Sequence, residues 1–418
     1  VSAKKNNIKQ FHFFHLLKGD KLIWAVVVLL GLFSFIPVYS ASSNLAYIYG
    51  NGNTLSFLLN HLAHLLIGFF LIFAVSKIPY NYFKGLCVLA LPLVIILLVY
   101  TLFQGTTIDG ANASRWIKIP LINKTFQTST AAAVILMVFV ARYLSKIADK
   151  EITFKSSMIH LWLPVGAVLV LILPANFSTT AILFAMILML VVVGGYPLKY
   201  VGIILLAGII VLSVFMLSAK AFPGLFPNRV DTWISRVENF ASADDKEIYQ
   251  VEKAKIAIAR GGVFGVGVGK SVQRNFLPQS SSDFIYAIVV EEMGLVGGFL
   301  VLFAYLLILF RLVVVAIKAP SIFGKLLIIG VGLPIVFQAL INMGVATELF
   351  PVTGQTLPLV SSGGSSIWMT CVALGMVQSV CAKRESLRNK TDLQGQQDDA
   401  KSGYNQEENP LEILSETL

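Results

Sequence analysis

Three acidic residues in one segment are the first candidates for chemistry. Segment 276–294 reads Phe-Leu-Pro-Gln-Ser-Ser-Ser-Asp-Phe-Ile-Tyr-Ala-Ile-Val-Val-Glu-Glu-Met-Gly. Asp283 stands at the mouth of an apolar run, and Glu291 and Glu292 stand inside it. Eight or nine residues of helix carry a side chain about 12–14 Å along the axis. A carboxylate at that depth is costly unless it pairs or lines a wet cavity. The acids therefore predict a polar cavity open on the side from which Asp283 enters. Ser280, Ser281, Ser282 or Asp283 is also placed to cap the following helix, and a cap alone would explain an acid there.

Cations and glycines supply the other candidates. Gly110-Ala111-Asn112-Ala113-Ser114-Arg115-Trp116 puts an arginine beside a tryptophan between two apolar runs. A tryptophan there is an interfacial anchor, and the arginine is a candidate anion ligand. Segment 261–271, Gly-Gly-Val-Phe-Gly-Val-Gly-Val-Gly-Lys-Ser, mimics a nucleotide loop. That pattern needs glycine at 264, where Phe264 stands, so the glycines predict a tight backbone approach. His61 and His64, three apart in a helix, have metal-ligand spacing but no third ligand in view, and read as packing histidines. Segment 342–366 is rich in Pro, Gly and Ser between two apolar runs. It predicts a re-entrant loop, because irregular backbone at membrane depth needs protein or a cavity to satisfy it.

The elements that must position these residues follow from composition. Of 418 residues 56% are hydrophobic and only 13% charged, about half the charge of a soluble domain. A soluble enzyme, a disulfide scaffold and a disordered chain are excluded. Cys87, Cys371 and Cys381 lie in or beside apolar runs and read as buried thiols. Ten apolar spans are expected: 22–40, 55–76, 86–103, 127–144, 157–174, 178–195, 198–219, 284–310, 326–346 and 364–382. The fold class is all-α, a polytopic membrane protein with a partly ordered loop, 220–283, between spans 7 and 8. The segments on the N-terminal side of the membrane hold 20 lysines and arginines, and the short loops opposite hold three, Arg115, Lys118 and Lys124. That asymmetry places both termini in the cytoplasm and loop 220–283 outside. It also accounts for the net charge of +10 without nucleic acid. Residues 1–21 form a cytoplasmic segment, 22–382 the membrane domain, and 383–418 a polar tail expected to be disordered.

The run Phe350-Pro351-Val352-Thr353-Gly354-Gln355-Thr356-Leu357-Pro358-Leu359-Val360-Ser361-Ser362-Gly363-Gly364-Ser365-Ser366 resembles the signature of the SEDS family, the shape, elongation, division and sporulation proteins. Leu277-Pro278 through Asp283-Phe284, Glu291-Glu292-Met293-Gly294, Lys255 to Ile258 with Gly261-Gly262, and Ser114-Arg115-Trp116 fit it too. The resemblance spans about residues 15–385 and leans toward the family's division member. Ser281-Ser282 replaces a His-Thr frequent in the family, and Ser362 replaces an aromatic. The resemblance implies a glycosyltransferase polymerising lipid II into peptidoglycan outside a bacterial inner membrane, at the division septum. It implies a class B penicillin-binding transpeptidase and other divisome membrane proteins as partners. The family's essential aspartate maps onto Asp283. A lipid-diphosphate donor carries its own leaving group, so one base suffices, with cations for the diphosphate. Arg115, Lys255, Arg260 and Lys270, or a divalent cation such as Mg2+, are the expected diphosphate ligands. Trp116, Glu292, Thr353, Gly354, Ser361, Ser365 and Ser366 complete the expected substrate site. A lipid flippase using the same cavity and a non-catalytic division scaffold are the alternatives.

Overall fold

The computed structural model describes residues 18–49, 54–104, 115–119, 124–148, 150, 152–221, 245–277 and 280–407. Its long helices are α1 (Lys21–Tyr49), α2 (Thr54–Lys77), α3 (Phe83–Gln104), α4 (Thr128–Ile147), α5 (Phe154–Ile172), α6 (Phe177–Val193), α7 (Leu198–Ala221), α8 (Asp245–Gly261), α9 (Ile285–Ile317), α10 (Ile322–Ala346) and α11 (Gly364–Glu407). Among the described residues nine helices are long and apolar enough to cross a membrane. The tenth expected span is α6, which has only 17 residues, about 25 Å of helix. The protein is thus a multi-pass helical membrane protein. Its outward faces are apolar, with Leu89 77% and Phe103 80% exposed, as lipid contact requires.

The class is all-α as expected, and three local features add to it. One is a short antiparallel pair, β1 (Trp116–Ile119) and β2 (Lys124–Gln127), with Trp116 opposite Gln127. The loop 220–283 contains α8, an amphipathic helix; its residues 222–244 lie outside the described ones. The last span does not stop at 382. Helix α11 continues to Glu407 because the polar stretch after 382 is rich in Lys, Arg, Glu, Gln and Leu, all good helix formers.

The two ends of the bundle differ in chemistry. At one end Asp20 begins α1. Its carboxylate accepts from the Leu22 and Ile23 amides at 3.2 and 3.1 Å and pairs with Arg311 of α9. Its amide donates to Gln378 Oε1 of α11 at 2.7 Å, and Gln378 returns a bond to the Asp20 carbonyl at 3.0 Å. Lys77, Lys84, Lys146, Lys318 and Lys325 share this end, where α2, α4 and α9 finish and α3 and α10 start. At the opposite end stand Asp283, the hairpin and the loop between α10 and α11.

Helix α9 is broken. Gly294 has φ 69° and ψ −171° inside it, a conformation reserved for glycine. The break frees backbone groups, and the glycine-rich segment takes them up. Val266 and Gly267 amides donate to the Glu291 and Glu292 carbonyls, both at 3.0 Å, and the Leu295 amide donates to the Gly262 carbonyl at 2.9 Å. A Cβ at Gly294 would fall 2.2 Å from the Val263 carbonyl oxygen, and one at Gly265 would fall 2.1 Å from that of Glu292. Side chains are excluded from both faces of this contact. Gly294→Ala should therefore cost about 3 kcal/mol or more in stability. Gly262→Ala, at φ 52° with open space around its Cβ, should cost only about 1–2 kcal/mol. Thermal unfolding of both variants in detergent checks this, and equal shifts would mean the close approach does not matter.

Candidate active site

Asp283 sits in a turn that the α10–α11 connection holds from above. The Ser362 amide donates to the Ser281 carbonyl at 2.9 Å, Ser361 Oγ donates to the Ser282 carbonyl at 2.6 Å, and Asn342 Nδ2 donates to the Asp283 carbonyl at 2.7 Å. Three successive carbonyls are thus fixed. The same Asn342 amide donates to the Gln355 carbonyl at 2.7 Å, and Ser361 Oγ accepts from the Leu357 amide at 2.7 Å. The turn and the loop are one hydrogen-bonded unit. Below it, Phe284, Ala287 and Leu277 pack with Ala254 and Ala257 of α8 and with Val345, Ala346 and Val352. The half-buried Asp283 carboxylate faces Gly354, where an added Cβ would lie 3.5 Å from Oδ2. Phe284, not Asp283, holds the N-cap position of α9 and brings no capping side chain.

The loop carries strain beside the acid. Glu348 (φ 62°) and Leu359 (φ 65°) are non-glycine residues in the left-handed region, each costing about 1–3 kcal/mol. Such conformations persist where surrounding bonds over-determine them. Tyr305 of α9 donates to the Pro358 carbonyl next to Leu359, and Glu348 pairs with Lys255 of α8 at 2.5 Å.

A cavity of about 130 Å³ opens beside Gly354, walled by α4, α6, α10 and α11. Gln127, Thr179, Gln338, Gln355, Thr356 and Ser366 give it amides and hydroxyls, and Val331, Ile335 and Met369 give it an apolar floor. Its polar groups are ordered among themselves. Gln338 Nε2 donates to the Thr356 carbonyl at 2.9 Å, Gln355 Nε2 donates to Thr179 Oγ1 at 2.9 Å, and Thr356 and Ser366 hydroxyls are 2.9 Å apart. Arg115 lies in an adjoining crevice between α3, α4 and the α5–α6 turn, with Nε donating to the Ala175 carbonyl at 2.9 Å. Asn176 caps α6, accepting from the Thr179 amide at 3.2 Å, so the crevice and the cavity share one helix end.

The predicted residues thus separate into two groups. Asp283, Gly354, Ser361 and Ser366 meet around the loop, with Thr353, whose Oγ1 is buried without a hydrogen-bond partner among the described residues. Ser365 is buried one residue before Ser366. Arg115 and Trp116 open the hairpin at the neighbouring crevice. Lys255 flanks the loop, its charge shared with Glu348. The other group belongs to the glycine-rich segment. Glu292 is buried and binds Ser40 Oγ and the Ser271 amide, the latter at 3.2 Å. Glu291 binds Ser271 Oγ and the Val272 amide, the latter at 3.1 Å, and lies 3.5 Å from Arg260. Arg274 ties this segment to α1 through Ser40 Oγ at 3.0 Å. Lys270 is exposed on the same segment. The expectation of three acids descending into one cavity is therefore corrected: the two glutamates satisfy backbone amides within protein. His61 likewise serves packing, 2.7 Å from Ser34 Oγ, and His64 lies against the Trp368 ring. All three cysteines are buried and unbridged. Among the described residues no three His, Cys, Asp or Glu gather into a group that could hold a metal.

The sequence reading passed over Asn342 and Gln338. Their signal was available, two amides four residues apart on one face of an otherwise apolar span.

Among the described residues, nine membrane-length apolar helices, one of them broken and clamped by a glycine-rich segment, and a loop bonded to the turn that carries Asp283 define a polytopic membrane protein with a polar site at one end of the bundle. The chain belongs to the FtsW, RodA and SpoVE family of cell cycle proteins, whose model matches residues 20–386. It is 32% identical over 356 residues to the probable peptidoglycan glycosyltransferase FtsW of Hydrogenovibrio crunogenus, covering 82% of this chain and 87% of that one. It is 29% identical over 363 residues to stage V sporulation protein E of Bacillus subtilis, covering 86% and 96%. The fold is similar to that of the rod shape determining protein RodA of Thermus thermophilus, with a TM-score of 0.61 at 24% identity over 88% of this chain and 97% of that one. It is also similar to a chain from "Structural coordination of polymerization and crosslinking by a peptidoglycan synthase complex", with a TM-score of 0.66 at 24% identity over 88% and 98%.

Asn342→Ala should leave the Asp283 and Gln355 carbonyls without their donor. A buried polar group left unpaired costs about 1–3 kcal/mol, so the variant should unfold at a clearly lower temperature. An unchanged midpoint would mean that Asn342 does not hold the turn to the loop.

Proposed function

We propose that this chain is a peptidoglycan glycosyltransferase of cell division that polymerises lipid II at the outer face of the bacterial inner membrane. The observation that carries the reading is the turn at 281–283, held by two bonds from the α10–α11 loop and one from Asn342 of α10, with its carboxylate beside Gly354. An acid fixed in this way is preorganised for proton transfer. Asp283 takes the proton of the attacking sugar hydroxyl. That oxygen bonds to the anomeric carbon of the donor, the bond from that carbon to the diphosphate breaks, and the polyprenyl diphosphate leaves. A single displacement inverts the anomeric centre.

The surroundings suit the substrate. The amides and hydroxyls of the cavity beside Gly354 match sugar hydroxyls. Arg115 in its crevice is the cation best placed for the diphosphate, and Lys255 beside the loop can join it by exchanging Glu348 for phosphate oxygens. A Mg2+ carried on the diphosphate is compatible with this arrangement, since its ligands would be phosphate oxygens and water. The polyprenyl chain would run along the apolar helix faces. The cytoplasmic placement of both termini rests on the lysine- and arginine-rich end opposite the site. The names of the similar proteins support the activity and the role in division, and the similarity to a synthase complex supports a class B transpeptidase as partner.

The test is Asp283→Asn in purified full-length protein supplied with lipid II and the partner. Base catalysis contributes about 10²–10⁴ in rate. The variant should fold normally and lose polymerisation by at least about a hundredfold. A near-normal rate would remove the base from Asp283 and favour transport or scaffolding.

A further inference from the structure

A second cavity lies at the lysine- and arginine-rich end, away from Asp283. It measures about 570 Å³ and is built where α4 ends and α5 begins. Arg142, Lys146, Lys150, Thr153, Ser156 and His160 give its polar lining. Arg142 and Lys146 are four residues apart and share one face of α4. Among the described residues no carboxylate lines the cavity, and none of the three cations makes an ion pair. The rest of the wall is apolar, with Phe139, Ile152 and Ile159. The α5 wall is irregular: Met158–Trp162 is a π-turn, a feature frequent at functional sites. His160 lies on that turn with Nδ1 2.9 Å from the Ser156 carbonyl. The carbonyl can only accept, so Nδ1 carries a proton.

Charge sorting across a membrane requires basic residues at this end, but it does not require them to converge on a concavity. A free phosphate would need the cations and hydroxyls and have no use for the apolar wall. An anionic phospholipid uses both, its phosphate among the cations and its glycerol and upper acyl carbons against the apolar side chains. We propose that this cavity is a binding site for the headgroup of an anionic phospholipid in the leaflet at that end. Occupancy would brace the α4–α5 junction, and α4 is also a wall of the cavity beside Gly354.

The experiment measures lipid selection by the full chain in mixed bilayers, using spin-labelled phosphatidylglycerol and phosphatidylcholine. Wild type should retain phosphatidylglycerol at least about fivefold over phosphatidylcholine, and the preference should weaken as salt rises. Arg142→Gln/Lys146→Gln/Lys150→Gln should abolish the preference. The exposed pair Lys146→Gln/Lys150→Gln should lower it by half or more, and carries the test if the triple variant does not fold. Lys199→Gln/Lys318→Gln/Lys325→Gln removes the same charge from the same end outside the cavity and should leave it intact. Equal loss in both triple variants would reduce the effect to general surface charge and overturn the proposal. Displacement of the labelled lipid by millimolar glycerophosphoglycerol or inorganic phosphate, with no displacement by unlabelled phosphatidylglycerol, would make the site one for soluble phosphate and overturn it as well.

Discussion

The break in α9 at Gly294 is the constraint from which the rest of the site follows. A helix interrupted inside a bilayer exposes amides and carbonyls that lipid cannot satisfy. Here the backbone of residues 262–267 satisfies them, and it can do so only because glycines let two backbones meet. The same segment would be unsupported on its other side without the two glutamates. Glu291 and Glu292 project from the last turn before the break and accept from Ser271, Val272 and Ser40. A carboxyl group buried at such depth is tolerable because each of the two receives at least two donors. The break, the glycine segment, the glutamates and α1 are therefore one folded unit. It fixes the first half of α9, and with it the turn that carries Asp283.

The second clamp acts on that turn from the other side. Loop 347–363 donates to the carbonyls of Ser281 and Ser282, and Asn342 joins the Asp283 carbonyl to Gln355. The side chain of Asp283 lies against Gly354, a residue that lines the polar cavity. Strained backbone at Glu348 and Leu359 shows how firmly the loop is held. On the proposed reading this matters, because a base that does not reorganise during reaction is worth more than a stronger base that must move. This division of labour explains why backbone bonds dominate around the acid, while amides and hydroxyls dominate the cavity wall.

Much of this was legible in the residues. Hydropathy set the order of the spans, and charge sorting separated the two ends. Asp283 stood out in the sequence because an acid at the mouth of a span needs a reason to be there. The glycine spacing announced a tight backbone approach, though not its partner, because the kinked carbonyls of α9 leave no mark in side-chain pattern. Glu291 and Glu292 misled for a related reason. Their depth correctly demanded partners, but amides of a loop can serve as well as water, and sequence does not distinguish them. The hairpin at 116–127 escaped notice because four-residue strands are too short for a periodic signal. Helix α11 ran past its apolar stretch because helix propensity continued after hydropathy ended.

The pH dependence of polymerisation tests the central claim most directly. If the Asp283 carboxylate removes the proton from the attacking hydroxyl, the rate of the wild-type chain must fall on the acid side with the loss of one ionised group. The residual activity of Asp283→Asn, which has no such group at that position, should lack this limb. Rates should be followed with lipid II at saturation, so that binding does not shape the curve. An acid limb with the same midpoint in both proteins would contradict the account, because the titrating base would then be another residue.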